Sequence, residues 1–216
     1  MRRLLPVLLV LLTSAVYAQS FEGTLKWTFF IETTNPTTPQ YIDLVKNLPG
    51  AIEVKIKGRN TLTTIEGEPF NGNQILYVAD GDVIYYILHD SKTYVRMPQN
   101  TASKKPVRTV TKTDESGKVD GYNCTKYIVM QRAAKEFTTM FYYVTDEIKG
   151  LDLNGLETRH MGQGTSFIIA ETGGIPVKVS QTLPEGELTI RLTGTKKESL
   201  PGSLFEIPEG YTERKL

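Results

Sequence analysis

The sequence QILYVADGDVIYYILHDSKTYVRM, residues 74–97, gives the clearest indication of the fold. Asp80-Gly81 lies between two apolar runs, and this dipeptide in that position is a strong signal for a β-hairpin. A second polar turn, at residues 89–92, precedes the run that ends at Met97. The stretch therefore predicts three consecutive antiparallel strands, which are Gln74–Ala79, Val83–Leu88 and Thr93–Met97.

The middle strand of these three, VIYYIL at residues 83–88, has an apolar or aromatic side chain at every position. A strand with this composition is covered on both faces. We therefore expect a mainly β fold, built on one strongly curved antiparallel sheet that forms an incomplete barrel. One or two helices would cover its concave face. A β-sandwich is the competing arrangement.

Alternating apolar residues predict more strands on both sides of this stretch. They are expected at Phe21–Ile31, Val54–Ile56, Leu62–Ile65, Val107–Lys112, Tyr122–Met130, Phe137–Val144, Ser166–Ala170, Ile175–Leu183 and Leu188–Thr193.

Two helices are expected. In the first, Thr38 is a suitable cap, Pro39 suits the first helical position, and the apolar stripe that follows reaches Leu48. The second and weaker candidate runs from Thr145 to Leu153.

Residues 1–18 have the three parts of a secretory signal, which are Arg2 and Arg3, an apolar run at 4–12, and the cleavage site Val16-Tyr17-Ala18. The apolar run reaches only about 14 Å, whereas a bilayer core is about 30 Å thick. We therefore expect a cleaved signal peptide (1–18) and a single β domain (19–216). No cysteine follows Ala18 closely, so we expect a soluble protein that is periplasmic or secreted and does not span a membrane.

The charge balance argues against nucleic acid as a partner. Without Arg2 and Arg3 the chain has 23 basic and 24 acidic residues. A nucleic-acid-binding domain usually has a basic face and an excess of positive charge.

Residues that carry chemistry are few. A zinc site takes three or four ligands, but the chain has only His89, His160 and Cys124 as nitrogen or sulfur ligands. We expect Cys124 to be a small buried hydrophobe. No Gly-x-Ser-x-Gly elbow or phosphate loop is present. We therefore expect no metal, cofactor or catalytic residue, and a non-enzymatic protein; a hydrolase using His160 and Ser166 is a remote alternative.

The tyrosines and phenylalanines of the predicted strands have two interpretations. They are explained by β propensity and packing, or they form an amphipathic lining for an apolar cavity. If the faces pair as the alternation indicates, the cavity wall consists of Trp27, Phe29, Ile84, Tyr86 and Phe141.

Several motifs together resemble a bacterial domain family of unknown function. They are Phe21-Glu22-Gly23-Thr24 at the start, the strand rhythm of 75–97, Gly121-Tyr122-Asn123-Cys124-Thr125-Lys126-Tyr127, and the closing Phe205-Glu206-Ile207-Pro208-Glu209-Gly210-Tyr211. That family is grouped with periplasmic carriers of outer-membrane lipoproteins. The resemblance implies an incomplete β-barrel plugged by helices, with lipid chains held in the concavity. Arg59 and Arg96 match the carriers' lid arginine by residue type alone.

Two hypotheses on function follow. In the first, the protein binds a lipid, an acyl chain or a lipidated protein in its apolar concavity. In the second, the core is filled and the protein is an interaction or structural module of the envelope. It would then present loops such as Gln99–Pro106 to a protein partner.

Overall fold

The computed structural model describes residues 20–68, 70, 72–97, 108–133, 136–153, 156 and 169–215. The described part of the chain is mainly β, with 58% of its residues in strands. The strands are β1 (Glu22–Glu32), β2 (Ala51–Lys57), β3 (Asn60–Glu66), β4 (Gln74–Val78), β5 (Val83–Leu88), β6 (Thr93–Met97), β7 (Arg108–Val119), β8 (Tyr122–Ala133), β9 (Glu136–Thr145), β10 (Ile175–Leu183), β11 (Gly186–Lys197) and β12 (Thr212–Glu213).

All twelve strands form one sheet, in the order β12-β6-β5-β4-β3-β2-β1-β11-β10-β9-β8-β7. The order contains two antiparallel meanders, β1 to β6 and β7 to β11, which are joined where β1 pairs with β11. The short β12 pairs in parallel with β6 at one edge. The two edge strands do not pair with each other, so the sheet is not closed into a barrel.

The three strands predicted from residues 74–97 are confirmed. Ala79–Gly81 forms a short 3₁₀ turn, and Asp82 adopts the left-handed conformation with φ of 46°. This geometry explains the Asp-Gly-Asp sequence, because Asp and Gly tolerate such turns better than most residues. The register then places Ile84 opposite Tyr77, and Tyr86 opposite Ile75.

The two faces of the sheet differ in what covers them. Face A is the face that carries Leu25, Trp27 and Val54, and face B is the face that carries Lys26 and Thr28. On β1, β2 and β8 to β11, face A forms the main core, with side chains that include Leu25, Val129, Val177 and Leu192. The segment that joins β9 to β10 supplies more of this core through Ile148, Leu151, Leu153, Leu156 and Ile169.

On β3 to β6, face B is covered by the C-terminal segment, residues 198–211. Leu200 and Phe205 of this segment are buried against Leu62, Leu76 and Ile87 of the sheet. The C-terminal segment thus explains why face B of β5 is apolar. Face A of β5 carries apolar side chains as well.

The first predicted helix is confirmed as α1 (Pro39–Asn47). The side chain of Thr38 accepts a hydrogen bond from the Tyr41 amide at 3.3 Å, and Pro39 occupies the first turn. None of the residues of α1 is buried, and Ile42 and Val45 are 41% and 45% exposed. Its apolar stripe is therefore not packed tightly against the sheet.

The second predicted helix is wrong over most of its length. Thr145 belongs to β9, and residues 146–152 are irregular. The predicted strand Ser166–Ala170 is also wrong where it is described, because Ile169 and Ala170 begin the short helix α2 (Ile169–Thr172). The signal sequence at 1–18 and the loop at 99–106 lie outside the described residues. Within the part of the chain that the structure describes, no helix is long and apolar enough to cross a membrane.

Candidate functional site: face A of strands β4 to β6

Four of the five residues predicted to line a cavity share face A. Gly23 of β1, which lies on the same face as Trp27 and Phe29, stands opposite Ile56 of β2. From Ile56, directly opposed pairs lead through Thr61 and Tyr77 to Ile84 of β5. Tyr86 is two residues along β5 and therefore shares this face.

The fifth residue, Phe141, lies on face B. Phe29 stands opposite Ile190, which stands opposite Val179, and Val179 pairs with Tyr142 of β9. Because side chains alternate along a strand, the neighbour of Tyr142 points to the other face. The register therefore separates Phe141 from the other four residues.

Trp27 belongs to the packed core and not to an open wall. It is 2% exposed, and its Nε1 donates a hydrogen bond to the carbonyl oxygen of Pro176 at 2.9 Å. Phe29 is half-buried and packs against the same core. At this end of face A, side chains already occupy the space that a ligand would need.

Ile84 and Tyr86 differ from Trp27 because both remain half-buried. Ile75 and Tyr77 of the neighbouring strand are buried beside them. The hydroxyl of Tyr86 accepts a hydrogen bond from Asn73 Nδ2 at 3.1 Å, and Tyr77 donates one to Asp82 at 2.8 Å. The tyrosine hydroxyls therefore bond at the two ends of the strands, and the half-buried ring of Tyr86 provides apolar surface between them.

The closing motif of the sequence has a packing role. Leu204, Phe205, Ile207 and Tyr211 all lie against face B of β3 to β6. They cover the face opposite Ile84 and Tyr86, so the motif supports the candidate site from behind.

His89, which the sequence places in a turn, is part of a hydrogen-bonded chain below this motif. Its Nε2 lies 2.8 Å from Gln74 Oε1, and its Nδ1 lies 2.6 Å from the Tyr211 hydroxyl. Gln74 Nε2 donates to Thr64, which leaves Oε1 to accept from His89. Gln74 and Tyr211 thus contact both ring nitrogens of His89, and this arrangement fastens the C-terminal segment to the sheet.

The other candidates for chemistry do not meet at a site. His160 and Ser166 lie outside the described residues. Among the residues that are described, no group of three or more His, Cys, Asp or Glu is placed to hold a metal ion. Arg59 is 62% exposed in its side chain and lies 3.6 Å from Asp152. Arg96 stands opposite Tyr85, on face B, and so points away from Ile84.

Cys124 is buried, as predicted, with 4% of its surface exposed. Burial raises the pKa of its thiol to about 11. A thiol in this state is a poor nucleophile at neutral pH, so the residue contributes packing to the core.

Two surface clefts lie among the described residues. One, of about 440 Å³, lies where the turn between β7 and β8 meets β11, and it is lined by residues that include Phe30, Asp120 and Arg191. The other, of about 800 Å³, lies between the β1–α1 connection and the β10–β11 turn, and most of the residues that line it are of polar types. Neither cleft is lined by Ile84 or Tyr86.

Sequence reasoning missed one feature of the molecule. Face B of β8 to β10 is not covered by the C-terminal segment and exposes Met130 and Phe137. The signal was available, because β8 and β9 carry apolar residues on both faces, at 127–130 and 140–144. Period-two alternation does not tell which of two apolar faces enters the core.

Comparison with known proteins gives a family but no activity. The sequence profile described as a domain of unknown function (DUF4412) matches residues 53–211, which is well over half of the chain. It covers most of β2, all of β3 to β11 and the closing motif. No curated protein matches the chain.

Proposed function

The chain belongs to the DUF4412 family, and we propose that it is an exported, non-enzymatic protein that binds an acyl chain, a lipid or a lipidated protein on face A. The proposed site is centred on Ile84 and Tyr86 and continues onto Met97, which stands opposite Ile84. A periplasmic or secreted location is part of the same proposal.

One observation carries this proposal, which is the asymmetric use of the two faces of β5. Tyr85 and Ile87 on face B are accounted for by the C-terminal segment. Ile84 and Tyr86 on face A are half-buried, as Tyr85 is, but among the described residues neither of them packs in one of the two apolar clusters. An elongated apolar ligand on face A would complete their burial.

The proposal includes a curved sheet and a helix that covers its concave side. Contacts across non-adjacent strands support the curvature. Trp27 of β1 reaches Pro176 of β10 across β11, and Tyr122 of β8 donates a hydrogen bond to Thr195 of β11 at 3.1 Å. The incompletely packed apolar stripe of α1 is available as a cover, since Ile42 and Val45 remain exposed.

The energetics favour a long apolar chain. Burying about 14 methylenes gives a gross gain of roughly 11 kcal/mol, at about 0.8 kcal/mol each. Such a ligand would remain bound through purification. The filled core around Trp27 moves the proposed site toward β4 to β6, compared with the cavity wall expected from the sequence.

Mass spectrometry of an organic extract from natively purified protein tests the proposal. We expect a co-purified lipid or fatty acid in stoichiometric amount. We also expect Ile84→Trp, which adds bulk to face A, to weaken binding of a fluorescent long-chain fatty acid about tenfold.

Tyr85→Trp provides the matched control, because it adds bulk at the next residue of the same strand but on the opposite face. We expect this variant to bind the fatty acid as the parent does, provided that circular dichroism confirms its fold. An extract without lipid, together with fatty-acid binding that Ile84→Trp does not change, would refute the proposed site.

The second candidate is an envelope interaction or structural module that binds a protein. The filled core on face A of β1 and β8 to β11 favours it, because that part of the sheet has no need of a ligand. Crosslinking in the native envelope separates the two candidates. A single stoichiometric protein partner without lipid would favour the module.

A further inference from the structure

The uncovered part of face B, on β8 to β10, combines cations with aromatic rings. We call it the basic-aromatic patch, and its main residues are Lys126, Met130, Arg132, Phe137, Phe141 and Lys178. Arg132 stands opposite Phe137, and Met130 stands opposite Thr139. Two rows beyond Met130 on the same face, Lys126 and Lys178 flank Tyr143 on its two sides. The alternate residues of these strands, such as Val129 and Val179, enter the core.

The apolar members of the patch are unusually exposed. Phe137 is 62% exposed and Met130 is 44% exposed. Both lie toward the end of the β8–β9 hairpin, at residues 130–137. Exposed apolar side chains that cluster on one surface mark contact with a partner or a membrane more often than those that are scattered singly.

The charge of the patch has one sign. The described positions of β8, β9 and β10 on face B include three cations and no carboxylate. Lys126 forms an ion pair with Glu115 of β7 at 2.8 Å, and its Nζ lies 5.3 Å from the ring centre of Phe141. Lys178 lies 5.8 Å from the ring centre of Tyr143. Among the described residues, Arg132 and Lys178 make no ion pair. Because Glu115 already pairs with Lys126, Arg132 and Lys178 are the two cations of the patch that favour an anionic occupant.

The shape of the patch favours a planar partner. It is the face of a sheet, and the smaller cleft only borders it, where Arg191 stands opposite Lys178. Its cations lie at both ends of a strip about 20 Å long, since six residues at about 3.4 Å each separate Arg132 from Lys126. An anionic bilayer presents mobile phosphates that can meet cations at any spacing. It also accepts exposed Phe and Met side chains into its apolar layer.

Acidic residues limit how far the contact extends. Glu32 of β1 and Glu187 of β11 stand directly opposite each other, next to the row of Phe30 and Thr189 on the same face. An anionic surface would repel this pair. The contact is therefore confined to β8 to β10, and the end of the β8–β9 hairpin lies closest to the anionic surface.

From this arrangement we infer that the basic-aromatic patch docks the protein onto an anionic lipid surface, with Phe137 and Met130 entering the interface. The inference does not depend on acyl-chain binding at Ile84. It identifies a second lipid-directed surface on the opposite face of the sheet and in the other meander.

Co-sedimentation with vesicles tests this inference. We expect the protein to bind vesicles of equal parts phosphatidylglycerol and phosphatidylcholine, and to bind vesicles of phosphatidylcholine alone much more weakly. Phe137→Ala should weaken binding about tenfold through lost apolar burial. Arg132→Ala and Lys178→Ala should each weaken it about fivefold, and added salt should weaken it further.

Phe30→Ala is the matched control. Phe30 is 41% exposed on the same face but lies on β1, outside the patch, so its removal should leave binding unchanged. Ile84→Trp should also leave vesicle binding unchanged, which separates failure of this inference from failure of the proposed function.

Three results would overturn the inference: no binding to anionic vesicles, equal binding to both kinds of vesicle, or equal losses in Phe137→Ala and Phe30→Ala. Binding of soluble polyglutamate that depends on Arg132 and Lys178, without vesicle binding, would assign the patch to an acidic protein partner. Circular dichroism of each variant confirms that the fold is retained.

Discussion

The face on which a residue lies determines its chemistry in this protein. Tyr85 and Tyr86 are neighbours of the same type, yet Tyr85 packs under the C-terminal segment and Tyr86 contributes to the candidate site. Cys124 shows the same dependence on environment. It is the single thiol of the chain, and its burial makes it part of the core.

The raised pKa of Cys124 predicts slow modification. Burial raises its pKa from an ordinary value of 9.0 to about 11, so its thiolate fraction at neutral pH is about 100-fold smaller than that of an ordinary Cys. Labelling by iodoacetamide at neutral pH should therefore be slow in the folded protein and rapid in guanidinium chloride. Thr139→Cys, which places a thiol at an exposed position of β9, should label rapidly without denaturant. Equally rapid labelling of Cys124 in the folded parent would contradict its assigned role.

Individual site residues were partly predictable from the sequence. Alternation along β1 and β5 placed Trp27, Phe29, Ile84 and Tyr86 on one face. It failed for Phe141 because residues 140–144 are apolar on both sides of the strand, and only the pairing with β10 determines which side enters the core. Alternation also does not tell how deeply a side chain is buried, so it did not distinguish the packed Trp27 from the half-buried Tyr86.

Among the elements, the C-terminal segment depends on one carboxylate at the start of β1. Glu22 Oε1 accepts hydrogen bonds from the Leu200 amide at 2.6 Å and from Lys57 at 3.0 Å. Ser199 adds a weaker hydrogen bond at 3.4 Å. The Leu200 amide first, and then Lys57, lowers the pKa of Glu22 below its ordinary value of 4.5. One side chain thus connects β1, β2 and the segment that covers face B.

This lowered pKa predicts how attachment of the C-terminal segment depends on pH. A carboxyl group whose pKa is lower in the folded state stabilises the fold above its unfolded pKa. That stabilisation is lost as the pH falls through the folded value. Glu22→Gln should therefore lower the Tm at neutral pH by a few degrees, and the difference from the parent should vanish in strong acid. Thermal unfolding across this pH range measures both.

Hydrogen exchange localises the effect of Glu22→Gln. Amides of the C-terminal segment, such as Leu204, should lose protection before those of β10. Glu213→Gln, on the exposed two-residue strand β12, is the control and should change neither the Tm nor its pH dependence. A Tm difference between Glu22→Gln and the parent that persists unchanged into strong acid would show that the carboxylate does not act through its charge.

The elements that the sequence predicted best are those whose signals are local. Hairpin turns and the cap of α1 depend on a few neighbouring residues, and both were correct. The predicted helix at 145–153 failed because Ile148 and Leu151 have helical spacing but meet the core as an irregular segment. Gly150 within it has a φ of 85°, and its carbonyl accepts a hydrogen bond from the distant Phe21 amide. A contact between residues so far apart in the chain leaves no pattern in the local sequence from which the irregular segment could be predicted.

For the whole molecule, the pairing of β1 with β11 decides whether the two meanders form one unit. The main core includes Leu25 and Val54 from the first meander and Val177 and Val129 from the second. We call the pairing of β1 with β11 the seam. The core on face A is continuous across the seam only while these two strands remain paired. This pairing fixes the half of the sheet that carries the proposed fatty-acid site relative to the half that carries the basic-aromatic patch.

Gly23 allows the two strands to approach at this seam. Its φ is 153°, and a Cβ at this position would lie 2.0 Å from the carbonyl oxygen of Lys196. Because the contacted atoms belong to the backbone of β11 and both strands lie in the centre of a sheet, neither strand can easily move away. Gly23→Ala should therefore lower the free energy of unfolding by about 3 kcal/mol, as measured by urea denaturation. The loss should appear as one cooperative transition, because the strained strand contributes to the core of both meanders.

Gly117→Ala is the matched control for this prediction. Gly117 also lies in a strand, β7, but a Cβ there would meet nothing within 4 Å, so the substitution should change stability by less than about 1 kcal/mol. Unfolding of Gly23→Ala in two separate steps would show that the meanders are stable on their own. In that case vesicle binding by the second meander should survive the loss of fatty-acid binding by the first. A single transition would instead remove both activities at the same urea concentration, which is the outcome we expect from a continuous core.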